Sequence, residues 1–347
     1  SRSLNQNPTV AIVILNWNGK SWLEKFLPSV TKHSLNSNIY VADNASTDNS
    51  ISFVQQNYPE ISVLRNKANY GFAGGYNQAL KSVSADYYVL LNSDIEVSEN
   101  WIRPIINLLE SDKTIAACMP KILDFKNQNL FEYAGACGGY MDKFGYPFCR
   151  GRIFDSVEED KHQYDGTAEI FWATGACMFI RSSAFWEVNG FDEDFFAHME
   201  EIDLCWRLKN IGYKIFCVPE SRVYHVGGGT LQTSDPQKTF LNFRNSLVTQ
   251  TKNNFSGGLF WKIFVRLILD GVAGLKFITE RKTKHCLAII HAHWAYFRSL
   301  RKTFKKRNQQ KNSRLNAKCS PALNRSIVYL YFVKRVKTFA QLEKYIR

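Results

Sequence analysis

Along the first ninety residues, short apolar runs alternate with helix-patterned segments. Val10-Ala11-Ile12-Val13-Ile14-Leu15 is continuously apolar and rich in β-branched side chains, the pattern of a strand buried on both faces, and Asn16-Trp17-Asn18-Gly19 ends it. A helix over about 21–32 leads to a strand at Ile39-Tyr40-Val41-Ala42, and one over about 49–57 leads to Ile61-Ser62-Val63-Leu64. A third, over about 73–84, leads to Tyr87-Tyr88-Val89-Leu90-Leu91. Strands separated by single helices imply right-handed crossovers and an open, mostly parallel α/β sheet flanked by helices. Ligands of such sheets sit beyond the carboxyl ends of the strands. Here those ends read Leu15-Asn16, Asp43-Asn44 and Asn92-Ser93-Asp94, all of them polar.

Further on, the pattern predicts a helix over about 99–110, a strand over about 115–121, and a weakly periodic Gly- and aromatic-rich insertion over 125–166. The sheet resumes at Cys177-Met178-Phe179-Ile180; a helix over about 199–211 stops at Gly212, and short strands over 214–218 and 222–225 precede Gly227-Gly228-Gly229. Residues 258–280 read as an amphipathic helix in which Lys262, Arg266 and Asp270 recur on one side. The same three charges interrupt the longest apolar stretch, so no membrane-spanning helix is expected.

Charge divides the chain in two. Residues 251–347 hold 22 Lys and Arg against Asp270, Glu280 and Glu343, a charge of +19, whereas the first 250 hold 22 basic and 28 acidic residues, a charge of −6. A body over 1–250 and a basic helical extension over 251–347 are expected, with the cluster over 298–311 attracting anionic lipid by roughly 1 kcal/mol per nearby basic side chain. Peripheral attachment to the inner face of the plasma membrane follows as an expectation, and no motif accompanies the basic run that would read nucleic acid. The eight cysteines form no C-x-x-C pair and several sit in apolar runs, which suits reduced core thiols of a cytoplasmic protein; no charged-then-apolar leader precedes them.

Four segments carry candidate chemistry. Asn92-Ser93-Asp94 puts a carboxylate at a strand tip, where it could hold a hard cation beside a diphosphate, although an isolated Asn-Ser-Asp is more often an Asx turn. Asp43-Asn44-Ala45-Ser46-Thr47-Asp48 offers short polar side chains to a nucleoside, with Asp48 also fit to cap the next helix. In His198-Met199-Glu200-Glu201-Ile202-Asp203-Leu204-Cys205-Trp206-Arg207, helical spacing puts Glu200, Asp203 and Arg207 on one face, with an Asp203–Arg207 ion pair, and turns Glu201 elsewhere. Tyr224-His225-Val226-Gly227-Gly228-Gly229-Thr230 pairs a histidine with a loop able to approach phosphate oxygens. His285, His291 and His293 are poorly spaced for one metal face and belong to the tail.

In their order these segments resemble the inverting family 2 glycosyltransferases of the GT-A fold, in particular the bacterial rhamnosyltransferase-like branch. The resemblance runs over about 10–250 and also takes in Asn69-Tyr70-Gly71-Phe72-Ala73-Gly74-Gly75-Tyr76-Asn77 and Trp172-Ala173-Thr174-Gly175-Ala176. It implies that Asp43 reads the base of a UDP- or dTDP-linked sugar, that Asn16, Asn44, Ser46 and Asp48 complete the nucleoside site, and that Asn69, Gly71, Asn77, Asn92, Ser93, Gly175 and Ala176 line the donor cleft. Asp94 and His225 are the implied ligands of a divalent cation, Mg2+ or Mn2+, while Asn92 stands where the family's first aspartate would be. Glu201, in the second place of the family's Glu-Asp motif, is the implied general base, with Glu200 as the alternative. The acceptor would be the hydroxyl of a saccharide or lipid-linked saccharide. Two rivals remain: a sugar nucleotidyltransferase, which needs a basic Gly-rich loop where Asn16-Trp17-Asn18-Gly19-Lys20 stands, and a non-catalytic module that recruits partners through the tail. A dehydrogenase is disfavoured because Gly71-Phe72-Ala73-Gly74-Gly75 lacks the G-x-G-x-x-G spacing.

Overall fold

The computed structural model describes residues 7–227, 235–313, 319 and 323–346. Its first part is the expected alternation: β1 (Val10–Asn16), α1 (Lys20–His33), β2 (Asn38–Asp43), α2 (Ser50–Asn57), β3 (Ser62–Arg65), α3 (Gly71–Leu80) and β4 (Tyr87–Asn92). Strand β1 pairs in parallel with β2 and β4, and the register sets Asn16 opposite Asp43 and Leu15 opposite Asn92. One row of polar tips therefore crosses the carboxyl edge of the sheet. Beneath it Ile12, Val13, Val41, Val89 and Leu90 are fully buried, as continuous apolar strands require.

After β4 come β5 (Ile95–Val97), α4 (Arg103–Ser111) and β6 (Ile115–Asp124). Helix α4 starts four residues later than the sequence pattern predicts, because Trp101 is buried in the core and Pro104 favours a first helical turn. The insertion folds into the four-stranded sheet β7 (Gly139–Met141), β8 (Pro147–Cys149), β9 (Arg152–Ile153) and β10 (Ser156–Val157). The main sheet is completed by β11 (Ala168–Ile170), β12 (Cys177–Arg181) and, after α5 (Ser182–Glu187) and α6 (Glu200–Asn210), by β13 (Lys214–His225), in the order β11-β13-β6-β12-β4-β1-β2-β3. The two short strands expected over 214–225 are one. Pro219 cannot donate to the ladder, so the pairing with β6 shifts between Val218 and Arg222 and then continues. Beyond the shift β5 pairs with β13 and sets His225 opposite Ile95, the neighbour of Asp94.

The C-terminal part is α7 (Pro236–Asn253), α8 (Leu259–Thr279), α9 (Thr283–Ser313), α10 (Ile327–Phe332) and α11 (Phe339–Leu342). Position 250, the expected domain boundary, lies inside α7. Asn245, Thr249, Gln250, Lys252 and Asn253 of that helix are buried. The Asp203 carboxylate accepts from Arg207 Nε (2.8 Å) and Asn253 Nδ2 (2.7 Å) and pairs with Lys252 Nζ (2.7 Å), so the expected Asp203–Arg207 pair is one arm of a larger network. Lys252 also reaches Asp192 at 2.6 Å, and Lys306 of α9 reaches Asp192 and Asp194 at 2.6 Å each. Burial alone would raise the Asp192 carboxyl, but Lys252 and Lys306 outweigh it and hold it well below the usual range. Lys302 pairs with Asp194 as well, so part of the basic cluster of α9 is engaged with the acidic body.

Helix α8 turns Arg266 and Asp270 of its charged row toward the body. Arg266 and Asp270 are buried, 2% and 1% exposed, with Arg266 donating to the carbonyls of Phe144 and Gly145 and to Ser246 Oγ, and Asp270 meeting His293 Nε2 at 2.9 Å. The apolar side faces outward, with Trp261 64% exposed. No helix among the described residues is long and apolar enough to cross a membrane.

The loop before α6 closes over α3. Phe196, at φ 59°, lets its carbonyl accept from Phe72 N (2.8 Å) and Ala73 N (3.2 Å) at the helix start. Gly71 has φ +70°, and a methyl group there would meet the Phe196 carbonyl oxygen and ring at 2.6 Å. Gly71→Ala is therefore expected to cost about 2–4 kcal/mol in equilibrium urea unfolding. Asp203→Ala, which strands Arg207 and Lys252 in the interior, should cost about 3–5 kcal/mol by the same measurement, and a second change, Lys252→Met, should recover part of it. An unchanged unfolding midpoint in Asp203→Ala would show that the network does not hold α6 to α7.

Candidate active site

At the tip of β1 the Asn16 amide nitrogen fans out to Asp43 Oδ1 (3.0 Å), Ser46 Oγ (3.2 Å) and Ser50 Oγ (2.9 Å). Asp43 also accepts from Ser46 N at 3.0 Å and from the Ser46 hydroxyl. Three of a carboxylate's roughly four acceptor positions are thus taken, and one on Oδ2 is left. Asp48 accepts from Ser50 N (3.0 Å) and Lys20 N (3.2 Å), so it caps α2 from one position before the N-cap, which is Asn49. Asn44 is a tie between loops, donating to the Gly71 carbonyl (2.8 Å) and accepting from Asn66 Nδ2 (2.8 Å), while Asn69 accepts from Gly71 N at 3.0 Å. Asn77 holds the backbone of Phe191 from both sides, Nδ2 to the carbonyl at 2.8 Å and Oδ1 from the amide at 2.9 Å. These bonds fix the loops around the tips and leave Asn77 a structural partner of Phe191.

The β5–β13 register delivers a second group of side chains. Asp94 Oδ1 lies 3.1 Å from His225 Nε2, and Glu132 Oε2, from the inserted segment, lies 3.4 Å from His225 Nδ1. All three are buried. Burial would lower the imidazole, but hydrogen bonding and charge from Asp94 and Glu132 outweigh it and push His225 up to about 10. Two buried carboxylates here require a positive charge between them. Asp94 Oδ1 and His225 Nε2 form a donor set that suits a borderline or hard divalent ion, which would take the place of the imidazole proton as the positive charge, while Glu132 faces Nδ1 on the far side of the ring. These residues fit such an ion. Gly228, Gly229 and Thr230 of the expected phosphate loop lie outside the described residues.

Helix α6 brings the third group. Phe196, His198 and Met199 have φ of 59°, 69° and 69°, a run of left-handed backbone directly before Glu200. Asn245 of α7 holds that run, its Nδ2 reaching the carbonyls of Phe195 (3.1 Å), Ala197 (2.9 Å) and His198 (2.9 Å). Glu200 is buried, and desolvation followed by repulsion from Glu201 raises it well above the ordinary value. Glu201 is partly open to solvent, with its carboxyl pushed up to about 7 by burial. The Oε2 atoms of both glutamates and Nε2 of His198 lack hydrogen-bond partners. Burial, with Lys238 adding to it, pushes His198 down to about 4.

The segment between β11 and β12 links the groups. Asn92 N donates to the Ala176 carbonyl at 2.9 Å, and a Cβ placed on Gly175 would lie 3.6 Å from the Glu201 Cβ. One residue thus separates contact with the Asn92-Ser93-Asp94 tip from contact with Glu201. Glu132, His198, Lys238 and Asn245 are not marked by sequence pattern: Glu132 sits in the least periodic stretch, and Asn245 acts through carbonyls that any sequence would supply. A different cluster, Asp160, His162 and Asp165, could also offer metal-ligand atoms, but the buried Lys121 ammonium already pairs with both aspartates.

Comparison with known proteins agrees with this arrangement. The family model of glycosyl transferase family 2 matches residues 11–188. N-acetylglucosaminyl-diphospho-decaprenol L-rhamnosyltransferase of Mycobacterium tuberculosis is 24% identical over 229 residues, 62% of this chain and 75% of that protein. Rhamnosyltransferase WbbL of Escherichia coli K12 is 25% identical over 223 residues, 62% of this chain and 83% of its own length. Among solved structures, GalNAc-T7 with UDP, GalNAc and Mn2+ superposes with a TM-score of 0.52 at 20% identity, over 63% of this chain and 43% of that one. Mannosyltransferase PcManGT from Pyrobaculum calidifontis, in complex with GDP-Man and Mn2+, superposes with a TM-score of 0.50 at 13% identity, over 84% of this chain and 88% of that one. The fold they share with this chain is GT-A. The match over half the chain, on the strands whose tips hold Asn16, Asp43 and Asp94, shows that the chain belongs to glycosyl transferase family 2, with rhamnosyltransferases among the proteins it resembles.

Proposed function

We propose that the protein moves a hexose from a UDP- or dTDP-linked donor to a hydroxyl of a saccharide or lipid-linked saccharide, by a single inverting displacement with Glu201 as general base. The observation that carries this reading is the Glu201 carboxyl, pushed up to about 7, on a residue whose Cβ lies beside Gly175 in the segment that touches the Asn92-Ser93-Asp94 tip. A hydroxyl is a weak nucleophile until a base takes its proton, and a base with a pKa near the working pH does so best. The Glu201 carboxylate takes the acceptor proton as the new C–O bond forms and the bond to the diphosphate breaks. Repulsion from Glu201, on top of burial, raises the less exposed Glu200 further.

The remaining acceptor position on Asp43 Oδ2 would take the imide N–H of a uracil or thymine ring, and the Asn16–Ser46–Ser50 fan keeps that carboxylate from turning away. Asp94 and His225 would hold a divalent cation, Mn2+ or Mg2+, which when bound supplies positive charge to the departing diphosphate. Glu132 then orients the His225 ring from its far side. The lipid diphosphate in the name of the mycobacterial relative supports a lipid-linked acceptor, and with it work at the cytoplasmic face of the membrane by peripheral attachment.

Glu201→Gln is expected to reduce transfer at least about 10²- to 10⁴-fold while nucleotide affinity, read by calorimetry, stays near wild type. Near-normal turnover would remove Glu201 from the role and turn attention to Glu200→Gln. Because the raised carboxyl accepts a proton only when ionised, the rate at saturating donor should rise about tenfold per pH unit below about 7 and level off above it. Asp94→Asn should abolish the gain in nucleotide affinity that Mn2+ gives the wild type, and an undiminished gain would place the cation elsewhere.

A further inference from the structure

We propose that the α8–α9 hairpin is a membrane-docking surface, which seats its apolar outer face in the headgroup boundary of an anionic bilayer beside the catalytic cleft. The proposal rests on the reading of a membrane-attached transferase and identifies the surface that makes the attachment.

Helix α8 is assembled inside out. Arg266, Asp270 and Gly274 form the buried row of α8. On the opposite side Trp261, Phe264, Ile268, Val272 and Leu275 follow helical spacing, each more than half exposed. Helix α9 presents an apolar outer side as well, over an inner side that is itself apolar. Ala288, Ile289, Ala292 and Tyr296 are buried, and Leu287, Ile290, Trp294 and Phe297 are each more than half exposed on the other side. The helices meet at Gly274, whose Cα-facing space is closed by Cys286 and Ile289, and through the Asp270–His293 contact. Nine such side chains make an apolar surface on the order of several hundred Å², beyond what a protein bathed in water on all sides ordinarily presents.

Charge identifies the occupant. Residues 259–313 carry 13 Lys and Arg against only Asp270 and Glu280. Lys302 and Lys306 are engaged with the body, but Lys284, Arg298, Arg301 and Lys305 belong to the same helix as the α9 stripe, and Arg298 lies over the Trp294 ring at 4.4 Å. Apolar side chains including tryptophan, accompanied by cations, suit an interfacial helix on anionic lipid. A second copy suits it poorly: a two-fold contact brings each cationic helix against its own equivalent, and the like charges oppose association.

The surface also adjoins the cleft. Lys238, in the first turns of α7, feels the Glu132 carboxylate and in turn acts on His198. Two residues on, Phe240 lines a groove with Lys284, Leu287 and His291 of α9, and further along the same helix Asn245 Nδ2 donates to the His198 carbonyl at 2.9 Å, two residues before Glu200. Helix α7 thus runs from the apolar stripe of α9 to the start of α6, and a lipid-linked acceptor in the docked bilayer would approach the site along it.

The test is flotation of the full chain with phosphatidylcholine vesicles with and without phosphatidylglycerol. The wild type should float, more strongly with phosphatidylglycerol, and the double variant Trp261→Asp/Phe264→Asp and the single variant Trp294→Asp should each lower the bound fraction about tenfold or more. Arg301→Glu/Lys305→Glu should lower it only on phosphatidylglycerol vesicles. All the altered positions are exposed, and thermal melting checks that the variants remain folded. A wild type that stays at the bottom of the gradient overturns the proposal, as do folded aspartate variants that float like wild type. So does a wild-type dimer in sedimentation equilibrium that the aspartate variants convert to monomer. Donor hydrolysis in solution should persist in the aspartate variants, and Glu201→Gln should float normally, so a failure of docking and a failure of the catalytic reading give different results.

Discussion

The Asp203 carboxylate fixes the rest. It lies with no solvent exposure in the first turn of α6, and three donors from two elements converge on it: Arg207 from its own helix, Lys252 and Asn253 from α7. A charge so deep is tolerable only when its partners are in place, because the low local dielectric that strengthens each contact also penalises a missing one. The network therefore allows essentially one placement of α6 against α7. Glu200 and Glu201 are the residues at the start of that helix, so their position is inherited from a network that takes no part in the chemistry. Through Lys252 and Asp192 it extends to Lys306 of α9, so ion pairs tie the basic tail to the body.

A frame of that kind can carry local strain. Left-handed backbone at Phe196, His198 and Met199 is unfavourable for each residue, and it persists because Asn245 gathers the carbonyls of the run while the Phe196 carbonyl is occupied by the start of α3. What the strain secures is a sharp entry into α6, with one buried oxygen of each of two carboxyl groups left without a hydrogen-bond partner at the helix start. Such unsatisfied groups are expensive in a core and useful in a site, since their perturbed proton affinity is what a base requires.

The strand tips were legible in the sequence because their physics is local. A continuous β-branched run can only be a buried strand, and the polar residue that ends it is its tip, so Asn16, Asp43 and Asp94 could be aligned before any coordinates. The meeting of Asp94 with His225 is different in kind. It depends on β5 crossing to pair with β13, and on β13 continuing past Pro219 where local rules would end it. Helix α7 escaped notice for another reason. Its buried residues include Asn245, Ser246, Thr249, Gln250, Lys252 and Asn253, and hydrophobic periodicity cannot detect a helix whose core-facing side is polar. Glu132 gave no signal because its segment is only weakly periodic.

Helix α8 shows how far periodicity reaches. The spacing of Lys262, Arg266 and Asp270 defines two sides of a helix correctly but does not say which is inside, and the ordinary rule assigns the charges to water. That rule fails when the interior supplies partners. Here Arg266 finds two carbonyls, a hydroxyl and the Tyr146 ring at 3.9 Å, and Asp270 finds His293. With its inward side held by polar contacts, the helix does not need its apolar side for folding. That side is then available to a second solvent, and the same substitution that would make it more water-like should leave the fold untouched. A helix held to its body by hydrophobic contact could not separate the two roles, because any change that altered its affinity for a membrane would also alter its affinity for the core.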